Sequence, residues 1–200
     1  ASAPPELRLH GSAAVTDGVL KLTDGGGLTD RVHGWVISDL PAPMPALWDW
    51  SISFELFIGG GLGGDGFSFF YGDSSDLPGY SNVGGLSAWG TSTFDGTFDG
   101  LVLRLVPGGR SGGNHMRLSY NRTVISIYDM HDAIRNDAWV RVVLAYDDCC
   151  GFSFSHDGRT SWSAGLSTAS VSIPGWNPRR GWRFAFAASA EEWSDYHWID

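Results

Sequence analysis

Trp50-Ser51-Ile52-Ser53-Phe54-Glu55-Leu56-Phe57 alternates apolar and polar residues with a period of two. That period puts Trp50, Ile52, Phe54 and Leu56 on one face and Ser51, Ser53 and Glu55 on the other, as in a half-buried β-strand; Phe57 begins to break the alternation. Downstream, residues 59–64 read as a glycine-rich turn, and Gly66-Phe67-Ser68-Phe69-Phe70-Tyr71 carries aromatics on both faces, a strand buried on both sides. Upstream, Pro41, Pro43 and Pro45 interrupt any ladder. Before them lie strand candidates at 7–10, 19–22 and 35–38, the first two joined by turn residues Gly11, Asp17 and Gly18 as an opening hairpin-like unit. Further candidates are 101–106, 116–120, 123–128, 139–146, 152–156 and 182–188, a number that suits two packed sheets.

Composition agrees. A chain of 200 residues with 42% hydrophobic content supports one sizeable core, so residues 1–200 are read as a single domain. Twenty-eight glycines and 14% aromatics against 18% charged residues suit short strands and tight turns, with few helices. The formal net charge of −9 argues against nucleic acid and anionic membrane surfaces, which need clustered cations. No apolar run is long enough to insert through a bilayer, and residues 1–5 lack the features of a signal peptide, as expected of a mature protein or an excised domain.

Several local motifs carry two readings. Cys149 and Cys150 are adjacent; they are read either as a vicinal disulfide or pair bonded to another chain, or as two free thiols at a turn. Two cysteines alone do not supply the four ligands of a structural zinc site. Asn121-Arg122-Thr123 matches the N-glycosylation acceptor pattern between two strands, a position that an ordinary turn asparagine fills equally well. The stretch 72–100 holds one compact apolar run, 86–89, and is expected to be mostly surface loop. Its near-duplicate Thr93-Phe94-Asp95-Gly96 and Thr97-Phe98-Asp99-Gly100 reads as tandem turns.

Taken in order, Leu9-His10-Gly11-Ser12-Ala13, Val19-Leu20-Lys21-Leu22-Thr23, the strand from Ser51, Gly64-Asp65-Gly66-Phe67-Ser68-Phe69-Phe70, Trp182-Arg183-Phe184-Ala185-Phe186-Ala187-Ala188 and the ending His197-Trp198-Ile199-Asp200 resemble successive segments of the L-type (legume-like) lectins. The resemblance covers about 190 residues, and the order of the pieces carries more weight than any one of them. It implies an all-β, concanavalin A-like jelly-roll sandwich of two antiparallel sheets and a secreted or extracellular protein. It also implies carbohydrate binding without catalysis. The aspartate that accepts sugar hydroxyls corresponds to Asp65, with Gly64-Asp65 at the family's cis peptide, and the glycine whose amide meets the ligand corresponds to Gly85 or, by register, Gly84. Trp89, Trp193 and Tyr196, with Tyr80, lie near these loops and are candidate stacking rings, although each also suits a core.

The sequence departs from the family at the metal site. If 101–106 is the metal-bearing strand, both acids are replaced by leucine; if 87–91 is, they become alanine and glycine. A calcium ion takes six to eight oxygen ligands, so no metal or other cofactor is expected. Asp73, Asp76, Asp95 and Asp99 could supply a different oxygen site in the long loop, but aspartates are common in solvated loops, and that reading is preferred.

Three functions follow, in descending order: a metal-independent lectin-like module for a glycan or glycoprotein; an adhesion or assembly module binding protein through its loops; and a jelly-roll glycan hydrolase or lyase. Against the last, there is no Glu-x-Asp-x-Glu strand and no nucleophile elbow, and Glu191, Glu192 and Asp195 read as a solvated acidic loop.

Overall fold

The computed structural model describes residues 7–25, 32–38, 49–61, 66–73, 99–106, 115–129, 134–156, 159–160, 170–190 and 195–200. These residues form β1 (Leu7–Gly11), β2 (Ala14–Thr16), β3 (Val19–Asp24), β4 (Val32–Ser38), β5 (Trp50–Gly59), β6 (Gly66–Gly72) and β7 (Gly100–Val106). The second half supplies β8 (His115–Tyr120), β9 (Thr123–Asp129), β10 (Trp139–Asp147), β11 (Gly151–His156), β12 (Arg159–Thr160), β13 (Arg183–Ala190) and β14 (Tyr196–Ile199). They build two seven-stranded sheets, β1-β4-β13-β6-β7-β8-β9 and β12-β11-β10-β5-β14-β3-β2. Neighbours run antiparallel throughout.

The alternation of β5 decides which side faces in. Trp50, Phe54, Leu56 and Ile58 are buried, while Ser51 and Ser53 are exposed. The alternation does not break at Phe57, as the sequence suggests. Phe57 belongs to the outer face, where its ring stacks on Trp198 at 5.1 Å and lies 5.7 Å from Trp139, and Ile58 resumes the inner face. Between the sheets, Leu22, Leu56, Phe67, Phe69, Leu101, Leu103, Leu118, Val142, Leu144 and Phe154 belong to one apolar core.

The first sheet is apolar on its outer side as well. Trp35, Ile37, Phe70, Val102, Ala185 and Ala187 form a second buried cluster there, which is why every residue of β6 is buried.

The expected opening hairpin of 7–10 with 19–22 is not formed. β1 pairs with β4 in the first sheet, whereas β3 lies in the second and makes its hairpin with β2, Thr16 facing Val19 across Asp17-Gly18. The chain crosses between sheets at residues 12–13, where Ser12 donates its hydroxyl to Leu22 O and its amide to His33 O. The closing residues form β14, inserted between β3 and β5. Trp182, expected within a strand, precedes β13 and is buried among Tyr71 and Trp176.

Candidate functional site

Asp65, Gly84, Gly85, Trp89 and Trp193 lie outside the described residues, as do Gly64 and Tyr80. Their connections to the sheets are described. Segment 62–65 joins Gly61, just past β5 of the second sheet, to Gly66, the start of β6 in the first. Segment 191–194 joins Ala190, the end of β13 in the first sheet, to Asp195, just before β14 of the second. Ser189 pairs with Gly66 on one side, and Tyr196 pairs with Gly59 on the other. Both segments therefore leave and re-enter the sheets beside one another at one end of the sandwich. Gly84, Gly85 and Trp89 belong to a different connection, 74–98, which departs from the opposite end, where Gly72 pairs with Gly100.

A polar cluster knits the shared end together. Arg135 donates from Nε to Asp195 Oδ2 at 2.9 Å and from Nη2 to Asp195 Oδ1 at 3.1 Å, a two-point fork. The same Nη2 also donates to Gly61 O at 2.6 Å. Two residues on, the Asp137 carboxylate accepts the Gly60 amide at 2.5 Å. Gly60 has a φ of +74°, and a Cβ there would strike the Tyr196 ring, so only glycine lets the chain turn under that ring. Tyr196 is half-buried on the outer face of the second sheet, edge-on to Trp198 at 5.2 Å.

Asp195 is fully buried, which corrects its reading as part of a solvated acidic loop. The cluster continues inward. Thr23 donates its hydroxyl to Asp195 O at 2.9 Å, and its oxygen lies 2.7 Å from His197 Nδ1. Because the hydroxyl proton is already committed, Nδ1 carries the imidazole proton and donates it to Thr23. Nε2 is then a bare lone pair, buried with no hydrogen-bond partner among the described residues. Burial first, and then the charge of Arg135, push the His197 pKa down to about 4 against an opposing pull from Asp195. His197 is therefore neutral at ordinary pH.

Sequence reasoning gave Thr23, Arg135 and Asp137 no role in the site and set Asp195 aside as a loop acid. A signal was present for one of them: Asp195, His197 and Ile199 alternate with Tyr196 and Trp198, so the period of two puts an acid on the core face. Arg135 carries no such pattern, because its role depends on a contact 60 residues away.

Elsewhere, Cys149 and Cys150 are joined as a vicinal disulfide at the β10–β11 turn. With Asp147 they are the three metal-capable groups that cluster among the described residues, but the sulfurs are bonded to each other. Asn121 is exposed in the two-residue turn joining β8 and β9. Of the four loop aspartates, Asp73 and Asp99 are described; the Asp99 carboxylate lies 3.4 Å from Arg122 Nε. A metal pair does not fit β7: Leu101, Leu103 and Leu105 point into the core, and the intervening Arg104 is a buried cation. The other register, 87–91, lies outside the described residues.

No family model matches the sequence, and no curated protein sequence matches it. Solved structures do. Lectin II from Ulex europaeus superposes with a TM-score of 0.69 at 19% identity, over 100% of this chain and 93% of that one. The fold is that of the L-type lectins. The exoplasmic/lumenal domain of VIP36, in a Ca2+/Man3GlcNAc-bound form, gives 0.68 at 18% identity over 98% of this chain and 81% of its own. The carbohydrate recognition domain of Emp46p, in a potassium-bound form, gives 0.63 at 15% identity over 97% and 85%. The lectin fold thus accounts for both sheets and for nearly the whole length of the chain. Among the described residues, no helix is long and apolar enough to cross a membrane.

Proposed function

We propose that this chain is a non-catalytic, metal-independent glycan-binding module acting outside the cytoplasm, in the extracellular space or a secretory lumen, with residues 1–200 as one binding domain. Asp65 accepts hydrogen bonds from sugar hydroxyls, and Trp193 and Tyr196 offer rings to the apolar C–H faces of the sugar; the 25-residue connection 74–98, anchored at the opposite end of the sandwich, has the length to carry the Gly84-Gly85 amide and the Trp89 ring back to them. The observation that carries this reading is the shared anchoring of segments 62–65 and 191–194 on a fold whose solved relatives were crystallised with sugars, galactose in one and Man3GlcNAc in another. Independence from metal is supported by β7, where leucines and a buried arginine stand on one of the two registers that could hold an ion. Neither cysteine offers a free nucleophile while the two are bonded to each other.

The test is a broad glycan array probed with the purified domain, with and without chelator, beside an Asp65→Ala variant of matched thermal stability. Binding that survives chelator and falls at least tenfold in Asp65→Ala is expected. Silence on every glycan would move the assignment to a module that binds protein through its loops.

A further inference from the structure

Arg135 joins the two segments that the glycan-binding reading depends on, although it belongs to neither. Gly61, whose carbonyl it holds, immediately precedes segment 62–65, and Asp195, whose carboxylate it grips, immediately follows segment 191–194. We propose that the Arg135–Asp195 pair is the positioning device of this site, a side-chain brace that fixes the spacing between Gly61, where the chain enters the Asp65 segment, and Asp195, where it leaves the Trp193 segment. The proposal rests on the reading above and adds to it the residues that hold the binding loops.

Four observations carry it. The fork is complete: both carboxylate oxygens of Asp195 are occupied, and the remaining Nη2 proton goes to Gly61 O, so one guanidinium fixes two chain segments at once. Lysine, a single point charge without a fork, cannot reproduce that geometry. Asp195 is fully buried and Arg135 is one-quarter exposed, so the pair does not belong to the class of solvated surface bridges that form and break freely. Opening it would leave a buried charge without its partner, which makes the closed arrangement stiff. The guanidinium is itself held in place, because Arg135 makes a parallel bridge to Ile58 and follows the buried Ile134. Finally, Asp137 from the same short stretch secures the Gly60 amide, so the turn before Asp65 is held from two directions.

A pair that merely stabilised the fold would be replaceable by well-packed apolar side chains, which often restores stability when both partners of a buried ion pair are exchanged together. A positioning pair would not be. The decisive variant is therefore the double exchange Arg135→Met with Asp195→Leu, with Arg135→Lys as the conservative companion should the double exchange fail to fold. Both are compared with the unaltered chain by thermal unfolding, by titration with the best glycan from the array, and by amide hydrogen exchange. Stability near that of the unaltered chain with at least tenfold weaker glycan binding is expected for the double exchange, and a similar loss for Arg135→Lys. Amides of residues 60–66 and 191–196 should exchange at least tenfold faster, while those of Leu56, Phe69 and Val142 stay unchanged. Glycan binding equal to that of the unaltered chain in both variants would overturn the proposal. If the unaltered chain binds no glycan, the functional reading fails by itself, and exchange decides the brace: unchanged exchange at 60–66 and 191–196 overturns it.

Discussion

At one end of the sandwich Trp50, Tyr71, Tyr120, Tyr146, Trp176 and Trp182 pack ring against ring, with Tyr146 and Trp176 stacked at 4.1 Å and Tyr71 edge-on to Trp182 at 5.3 Å. At the other end Thr23, Arg135, Asp195 and His197 are linked by hydrogen bonds, and Asp137 beside them accepts the Gly60 amide. The same strands, β5 and β10, run from one to the other: Trp50 faces Tyr146 at the first end, and Phe57 faces Trp139 toward the second. Ring packing is only loosely directional and draws its strength from area removed from water. Charge-assisted hydrogen bonds are directional and contribute position more than net stability. The aromatic end therefore anchors the fold, and the polar end fixes Gly60, Gly61 and Asp195 in place.

The largest effect that would break this contrast lies at the aromatic end. Trp50 is buried and its ring meets Phe69, Tyr71, Phe152 and Phe184 at 5.5 to 6.2 Å. Trp50→Ala should lower stability by about 4 kcal/mol, within the usual range for a large aromatic cut from a core. Urea denaturation gives the number. A loss under about 1 kcal/mol would mean that the aromatic end is not the anchor, and the contrast with the Arg135 and Asp195 exchange would collapse.

Acid sharpens the comparison at the polar end. The His197 pKa is about 4 in the folded chain against an ordinary 6.5, so between these values the unfolded chain binds a proton that the folded chain refuses. Above pH 7 the imidazole is neutral in both states and contributes no pH dependence. As pH falls from 6.5 to 4, this one group withdraws stability, by about 3 kcal/mol at full effect, since each pKa unit is worth about 1.4 kcal/mol. His197→Gln, which can still donate to Thr23, removes the titration. The difference between the two stability curves should be flat above pH 7 and grow through that window. Parallel curves would show that other groups carry the acid response.

Much of the fold was legible because one period governs it. The alternation of β5 and the two-sided aromatics of β6 name their neighbours' faces before any pairing is known. Pairing itself was not legible. Nothing local tells β1 to join β4 and β3 to join β2, because Gly11 and the residues after it suit a hairpin as well as a crossing between sheets. Phe57 looked like a lapse in the pattern because its outer-face partners, Trp139 and Trp198, lie on strands far off in sequence. The candidate site divided the same way. The Asp65 segment, outside the described residues, was nominated through a resemblance of contiguous residues, whereas Arg135 and Asp195 are brought together by the tertiary fold alone.

The smallest expected effect lies at the vicinal disulfide on the aromatic end. Cys149 and Cys150 close almost no chain between them, and a loop of about two residues removes so little unfolded-state freedom that the bond should contribute only about 1 kcal/mol. The turn has other support. Asp147 accepts the Cys149 amide on Oδ1 at 2.8 Å and the Cys150 amide on its carbonyl at 3.1 Å. Asp49 takes the Asp148 amide at 3.0 Å, and Ser170 donates to Cys150 O at 2.6 Å. The double exchange Cys149→Ser with Cys150→Ser should therefore melt within a few degrees of the oxidised chain and bind the same glycans with the same affinity. A loss as large as that of Trp50→Ala would mean that the hairpin depends on the sulfur bond after all, and that the ring cluster behind it, Tyr146 on Trp176, is held from the turn inward.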